Sequence, residues 1–167
     1  IANNSARYEG GGVESSSLTN CLVVNNSAVW GGGVDNSTAV NCTIVGNTAY
    51  DDGGLGGGGG GGIVGTALNS IIVQNTGPYG TPNFAFSSMA NCCTSPDPGG
   101  TNNLTVDPLF VNYAGGNYRL QTNSPCLNTG TNVIAGGVDL DGAPRVVDAV
   151  VDMGAYESSA ALAANAG

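Results

Sequence analysis

The chain has 167 residues, with three Lys+Arg, twelve Asp+Glu and no His, and a formal charge of −9. No basic patch can be assembled from it to neutralise nucleic-acid phosphates or to hold an anionic membrane surface, and no apolar run reaches the length of a bilayer-spanning helix. Charged residues make up only 9 % of the chain and glycines number 29, far from an average composition, and the length suits one domain with a narrow but continuous core.

From the N-terminus onward the chain repeats. Asn4-Ser5-Ala6 is followed by Gly10-Gly11-Gly12 and then by Leu18-Thr19-Asn20-Cys21-Leu22-Val23. The same order returns at Asn26-Ser27-Ala28, Gly31-Gly32-Gly33 and Asn41-Cys42, and again at Asn47-Thr48-Ala49 and Asn69-Ser70, with Asn75 and Asn91-Cys92 continuing it. The intervals are 21 or 22 residues, except one of 28 that contains the glycine run. Such a period marks an architecture in which a unit buries its apolar face only against its neighbours. The segments Leu22–Val24, Cys42–Val45 and Ile71–Val73 are short, β-branched and bounded by Gly, Asn and Ser, so they read as strands. A leucine-rich repeat would need more Leu and a helical half. The pattern predicts an all-β fold, a right-handed parallel β-helix of four to five coils with a C-terminal cap.

Coils stacked about 4.8 Å apart bring equivalent residues into columns. Asn26, Asn47 and Asn75 are expected to form an Asn ladder at a corner. Cys21, Cys42, Ser70 and Cys92 form a column of small residues, and Val23, Ile44, Ile72 and Thr94 a β-branched one. Leu22, Val24, Val45, Ile71 and Val73, on the other parity, are apolar too. Which parity faces the core therefore stays open, and the second face is expected to meet a partner.

The coils occupy residues 1–95, with a Gly-rich insertion at 53–62. Any glycine tract contains GxGxxG, and here neither Lys-Ser/Thr nor a helix pattern follows. The run Gly56 to Gly62 is therefore read as a loop or a close-packed extended segment, not a phosphate cradle. Gly77-Pro78-Tyr79-Gly80-Thr81-Pro82 predicts a protruding turn. The chain opens at Ile1 inside a coil, so a processed or partial product, or further coils upstream, is expected. The open strand edge must then be capped or paired with another chain.

At Pro96, Pro98, Gly99 and Gly100 the character changes. Residues 96–157 are read as the last coil and a capping segment, and 158–167 as a small-residue tail. The segment carries Asp107-Pro108-Leu109-Phe110, Gly116-Asn117-Tyr118-Arg119-Leu120, Ser124-Pro125-Cys126-Leu127-Asn128-Thr129-Gly130, Asp139-Leu140-Asp141-Gly142-Ala143-Pro144-Arg145 and Asp152-Met153-Gly154-Ala155-Tyr156-Glu157. In this order and spacing these motifs resemble the C-terminal part of the choice-of-anchor Q domain proteins, exported bacterial β-helix proteins. The Gly31–Ala49 block is also similar to the polymorphic outer-membrane protein repeats. The resemblance implies an extracellular or cell-surface location and a separate C-terminal anchoring segment, although the tail here holds no hydrophobic anchor. It supplies no catalytic residues.

Alternation places Cys93 on the opposite face from Cys92, and Cys126 sits in the capping segment. A Cys93–Cys126 disulfide is expected, worth about 3 kcal/mol through chain entropy. The competing reading is five small buried hydrophobes. Without His, and with cysteines in a column, no Zn site is expected. The acidic residues Asp139, Asp141, Asp148, Asp152 and Glu157 surround Arg145. An acid pair for glycoside hydrolysis can be drawn from them, but in the cap and off the coil face where a sugar chain would lie. A cap salt bridge, Arg145 forking onto Asp152 or Asp141, fits better. Asp139-x-Asp141-Gly142 offers hard oxygens to Ca²⁺ without the rest of an EF-hand loop, and no other cofactor is expected. Tyr8, Trp30 and Tyr50 fall between Ala and Gly in three coils, as a sugar-stacking or assembly strip or as corner packing. The reading is a non-enzymatic extracellular structural or adhesive protein whose partner is itself, head to tail in a surface fibre. The alternative is a β-helix that binds or cleaves carbohydrate, with surface glycans as partners.

Overall fold

The computed structural model describes residues 1–53, 58–80, 82–132 and 137–158. Leu55 with three glycines of the insertion, Thr81 of the expected turn, and the tail beyond Ser158 lie outside the described residues. Among the described residues there is no α-helix, and the fold is all-β with parallel sheets. In chain order the strands are β1 (Val13–Glu14), β2 (Ser17–Thr19), β3 (Leu22–Val24), β4 (Ser27–Ala28), β5 (Val34–Val40), β6 (Thr43–Val45), β7 (Thr48–Ala49), β8 (Ile63–Leu68), β9 (Ile71–Val73), β10 (Ser88–Ala90), β11 (Cys93–Thr94), β12 (Phe110–Asn112) and β13 (Asn117–Leu120).

The sequence period is the pairing register. A first sheet runs β1-β5-β8-β10, with β2 also on β5, and a second runs β3-β6-β9-β11. Leu22 lies opposite Thr43, Thr43 opposite Ile71, and Ile71 opposite Cys93. β4 and β7 make a third parallel pair. Thr101 and Leu104 then pair in parallel with Ala90 and Cys93, beginning a shortened further turn of the chain.

The strands are short because the repeat forces corners between them. Asn20, Asn41, Asn69 and Asn91 all adopt left-handed backbone, with φ between 50° and 53°. Asn reaches that region more readily than most side chains, because its short amide bonds locally. The glycines serve a different need. A Cβ on Gly32 would lie 2.3 Å from the Thr48 carbonyl group, and one on Gly61 would lie 2.1 Å from the Thr76 oxygen. The described part of the run, Gly58 to Gly62, is buried in this way as a close-packed segment, with Gly60 in left-handed backbone.

Two apolar clusters flank the second sheet. Val23, Ile44 and Ile72 face inward, toward Leu18, Ala39, Ala67 and Met89 of the first sheet. Val45, Ile71, Val73 and Cys93 face outward and are covered by Phe110, Leu120, Cys126 and Met153. The outer face thus meets the chain's own C-terminal residues where a partner was expected. Burying Phe110, Leu120 and Met153 offers about 5–8 kcal/mol before the cost of ordering the segment.

Among the described residues, the later part of 96–157 lies along this face. The Ala155 amide donates to Thr43 Oγ1 at 3.0 Å, and the Gly154 amide to the Asn69 carbonyl at 2.8 Å. Asn91 donates to the Thr129 carbonyl at 3.4 Å and Asn20 to the Val138 carbonyl at 2.7 Å. This flank therefore touches the fourth repeat and the first.

Candidate functional site

Two side-chain ladders cross the repeats. Asn26 Oδ1 accepts from the amide and Nδ2 of Asn4 at 3.0 and 2.9 Å. Asn47 Oδ1 accepts the same pair from Asn26 at 2.9 and 3.0 Å, and Asn75 Oδ1 from Asn47 at 2.9 and 3.0 Å. Asn83 takes the last pair from Asn75, at 3.1 Å for both. Asn47 Nδ2 also donates to the Val23 and Val45 carbonyls, so one amide closes the corner of two repeats.

The second ladder uses thiols and hydroxyls. The Cys42 amide donates to Ser70 Oγ at 3.0 Å and the Cys92 amide to Asn103 Oδ1 at 2.9 Å. The backbone of Cys21 bonds the Cys42 thiol, and that of Ser70 the Cys92 thiol. Cys21, Cys42, Ser70 and Cys92 each turn their own proton to the carbonyl two residues back, at 3.3, 3.2, 2.8 and 3.2 Å. Cys and Ser alternate here because the position asks for a small donor–acceptor, not for sulfur chemistry. Burial pushes the Cys92 thiol up to about 12.

The flank holds the buried charges. Arg145 is 1 % exposed, and its Nη2 donates to the carbonyls of Asp152 and Gly154 at 2.7 and 2.8 Å. Its carboxylate neighbour is Glu157, with Oε2 3.8 Å from Nε and both side chains fully buried. The expected Arg145–Asp152 salt bridge is corrected on this point: Asp152 offers its carbonyl. Its carboxylate instead accepts the amides of Asn128 and Ser158, at 2.7 and 2.8 Å. Asp141 is taken by Arg119, whose guanidinium also lies 4.7 Å over the Tyr156 ring. Desolvation outweighs attraction around Arg145. Burial first, and then the Asp152 charge, raises Glu157 to about 7, and burial raises Asp152 and lowers Arg145.

Asp139 and Asp141, the Ca²⁺ candidates, are committed elsewhere. Asp139 Oδ1 accepts the amides of Asp141 and Ala143 at 2.9 and 2.8 Å, and Oδ2 accepts that of Glu157 at 2.7 Å. Among the described residues no group of three or more His, Cys, Asp or Glu is arranged to hold a metal ion.

The aromatic residues group differently from their spacing. Ala28 lies opposite Ala49, which sets Tyr50 level with Val29, while Trp30 lies opposite Glu9 and Gly59. The strip expected from Tyr8, Trp30 and Tyr50 is therefore out of line by one residue. Trp30 instead leans over Gly59, which has no side chain to obstruct it, toward Phe86, with ring centroids 6.1 Å apart at 39°. Phe86 is 84 % exposed. Glu9 is opposite Trp30, Glu14 is opposite Asp35, and burial followed by the charges of Glu9 and Glu14 raises Asp35.

Cys93 and Cys126 are both buried and are thiols that hydrogen-bond each other. Compared with known proteins, the chain matches no family model, no curated protein and no solved structure.

Sequence reading missed several participants. Asn83 and Asn103 end the two ladders only 8 and 11 residues beyond their partners, outside the 21-residue period. Phe86 has no counterpart in the other repeats. Glu157 is one of the acids around Arg145, but nothing in its spacing favours it over Asp152.

Proposed function

We propose that the chain is a right-handed parallel β-helix of the choice-of-anchor Q type, working outside the cell as a non-enzymatic structural and adhesive module. The observation that carries this is the pair of ladders. Backbone, Asn and thiol positions repeat with one register from the first repeat to the fourth, so stability comes from stacking like upon like. The carboxylates best clustered in sequence support a structural role as well, since Asp139, Asp141 and Asp152 serve backbone amides and Arg119. A self-assembling fibre is the sharper form of this reading. Stacking of like upon like between copies would be a heterologous contact, and a contact of that kind propagates without closing. Negative-stain electron microscopy of the purified chain tests it. Regular fibres one molecule wide are expected, and compact monomers at every concentration would remove the fibre from the proposal.

A second reading draws on the Trp30–Phe86 pair. The exposed Phe86 ring and the half-buried Trp30 beside Glu9 and Glu14 suit a glycan, whose C–H faces stack on aromatic surfaces while its hydroxyls donate to carboxylates. Binding to a glycan array that is lost in Trp30→Ala supports it. Equal binding by the variant removes that site.

A further inference from the structure

The five cysteines fall into two classes by what their sulfurs do. Cys21, Cys42 and Cys92 occupy one column, where each thiol answers a carbonyl on its own corner and the thiols of Cys42 and Cys92 also take a backbone hydrogen bond from the preceding repeat. Their side chains leave parallel strands in the same direction. Joining Cys21 to Cys42, whose thiols also touch, would take the Cys42 sulfur from the Cys21 backbone and the Val40 carbonyl that hold it, and bridging requires Cβ vectors that converge.

Cys93 and Cys126 belong to neither column. Cys93 faces outward from β11, Cys126 faces it from the flank, and both sit in the outer apolar cluster. The backbone fixes each side: the Cys93 amide donates to the Ser70 carbonyl at 2.9 Å and the Met153 amide to the Cys126 carbonyl at 3.0 Å. The Cys93 thiol also donates to the Val106 carbonyl at 3.2 Å. We propose that Cys93 and Cys126 are a selective disulfide site, a covalent clasp that holds the flank on the outer sheet face, while the other three cysteines stay thiols.

The oxidant is a small disulfide such as oxidised glutathione, met before the outer face closes. The Cys93 thiolate attacks one sulfur of the donor, forming a mixed disulfide and releasing one glutathione thiolate. The Cys126 thiolate then attacks the Cys93 sulfur and releases the second. Two protons leave the protein thiols, the pair is oxidised by two electrons, and the donor is reduced to two thiols.

The test refolds the full chain in a glutathione redox buffer, alkylates the remaining thiols and maps the peptides by mass spectrometry. Two of the five thiols are expected to be lost, with the peptide holding Cys93 linked to that holding Cys126. A reductant should then lower the melting temperature of the wild-type chain but not of Cys126→Ser. A Cys21–Cys42 link, or five alkylated thiols at every redox ratio, overturns the proposal. The wild-type map decides the matter even if Cys126→Ser does not fold.

Discussion

The repeats and the flank hold together by opposite means. In the repeats, each backbone group meets a copy of itself from the next turn of the chain, and the side chains that matter are amides, thiols and glycines with no net charge. In the flank, the contacts occur once each, join residues up to 118 apart, and close around a buried Arg145 with carboxylates that desolvation disfavours. A periodic region tolerates little change in shape at its corners. An aperiodic one depends on a few individual partners.

The largest expected effect breaks the repeats by volume. Gly61→Ala places a methyl 2.1 Å from the Thr76 oxygen and 2.4 Å from the Pro82 oxygen. Backbone on both sides must separate, and a loss of more than about 5 kcal/mol, or no soluble folded chain, is expected in denaturant titration. Arg145→Met attacks the flank by charge. It leaves Glu157 and Asp152 buried without their cation, at a cost of about 4 kcal/mol. Hydrogen exchange should show the loss across residues 126–157 with the strands of the first sheet still protected. Equal deprotection of both regions would show that they unfold as one unit.

Asn47→Ala tests the ladder from within. It removes the acceptor of Asn26 and the donor to Val23, Val45 and Asn75, and should cost about 3 kcal/mol, against about 1 kcal/mol for Asn4→Ala at the ladder's end. Similar costs at both sites would deny the ladder its cumulative character.

The smallest effect is on pH. The folded Glu157 binds its proton more tightly than the unfolded chain does, so the folded state holds more protons between the ordinary glutamate range and about 7. Stability should therefore fall as pH rises through that window, by about 2 kcal/mol, and level off above it. Glu157→Gln should flatten this slope, as read by urea titration at pH 5 and pH 8.

The repeats were legible because their signals are local and recur. An Asn before each strand and a glycine triplet after each Asn-Ser/Thr-Ala announce corners and close approaches, and the interval between them is the strand register. The flank was legible in its motifs and in the meeting of Cys93 with Cys126, but not in its single contacts. That Thr43 would receive the Ala155 amide, or Asn69 the Thr131 amide at 2.8 Å, follows from no spacing, because each contact is made once across more than 60 residues. The choice of Glu157 over Asp152 beside Arg145 is likewise a matter of where two turns of the flank finish.

The flank's contacts at Thr129, Thr131 and Val138 reach Asn91, Asn69 and Asn20 in turn. Repeats that are interchangeable in themselves are thus told apart by a flank that does not repeat, because each of these three Asn corners has a partner of its own.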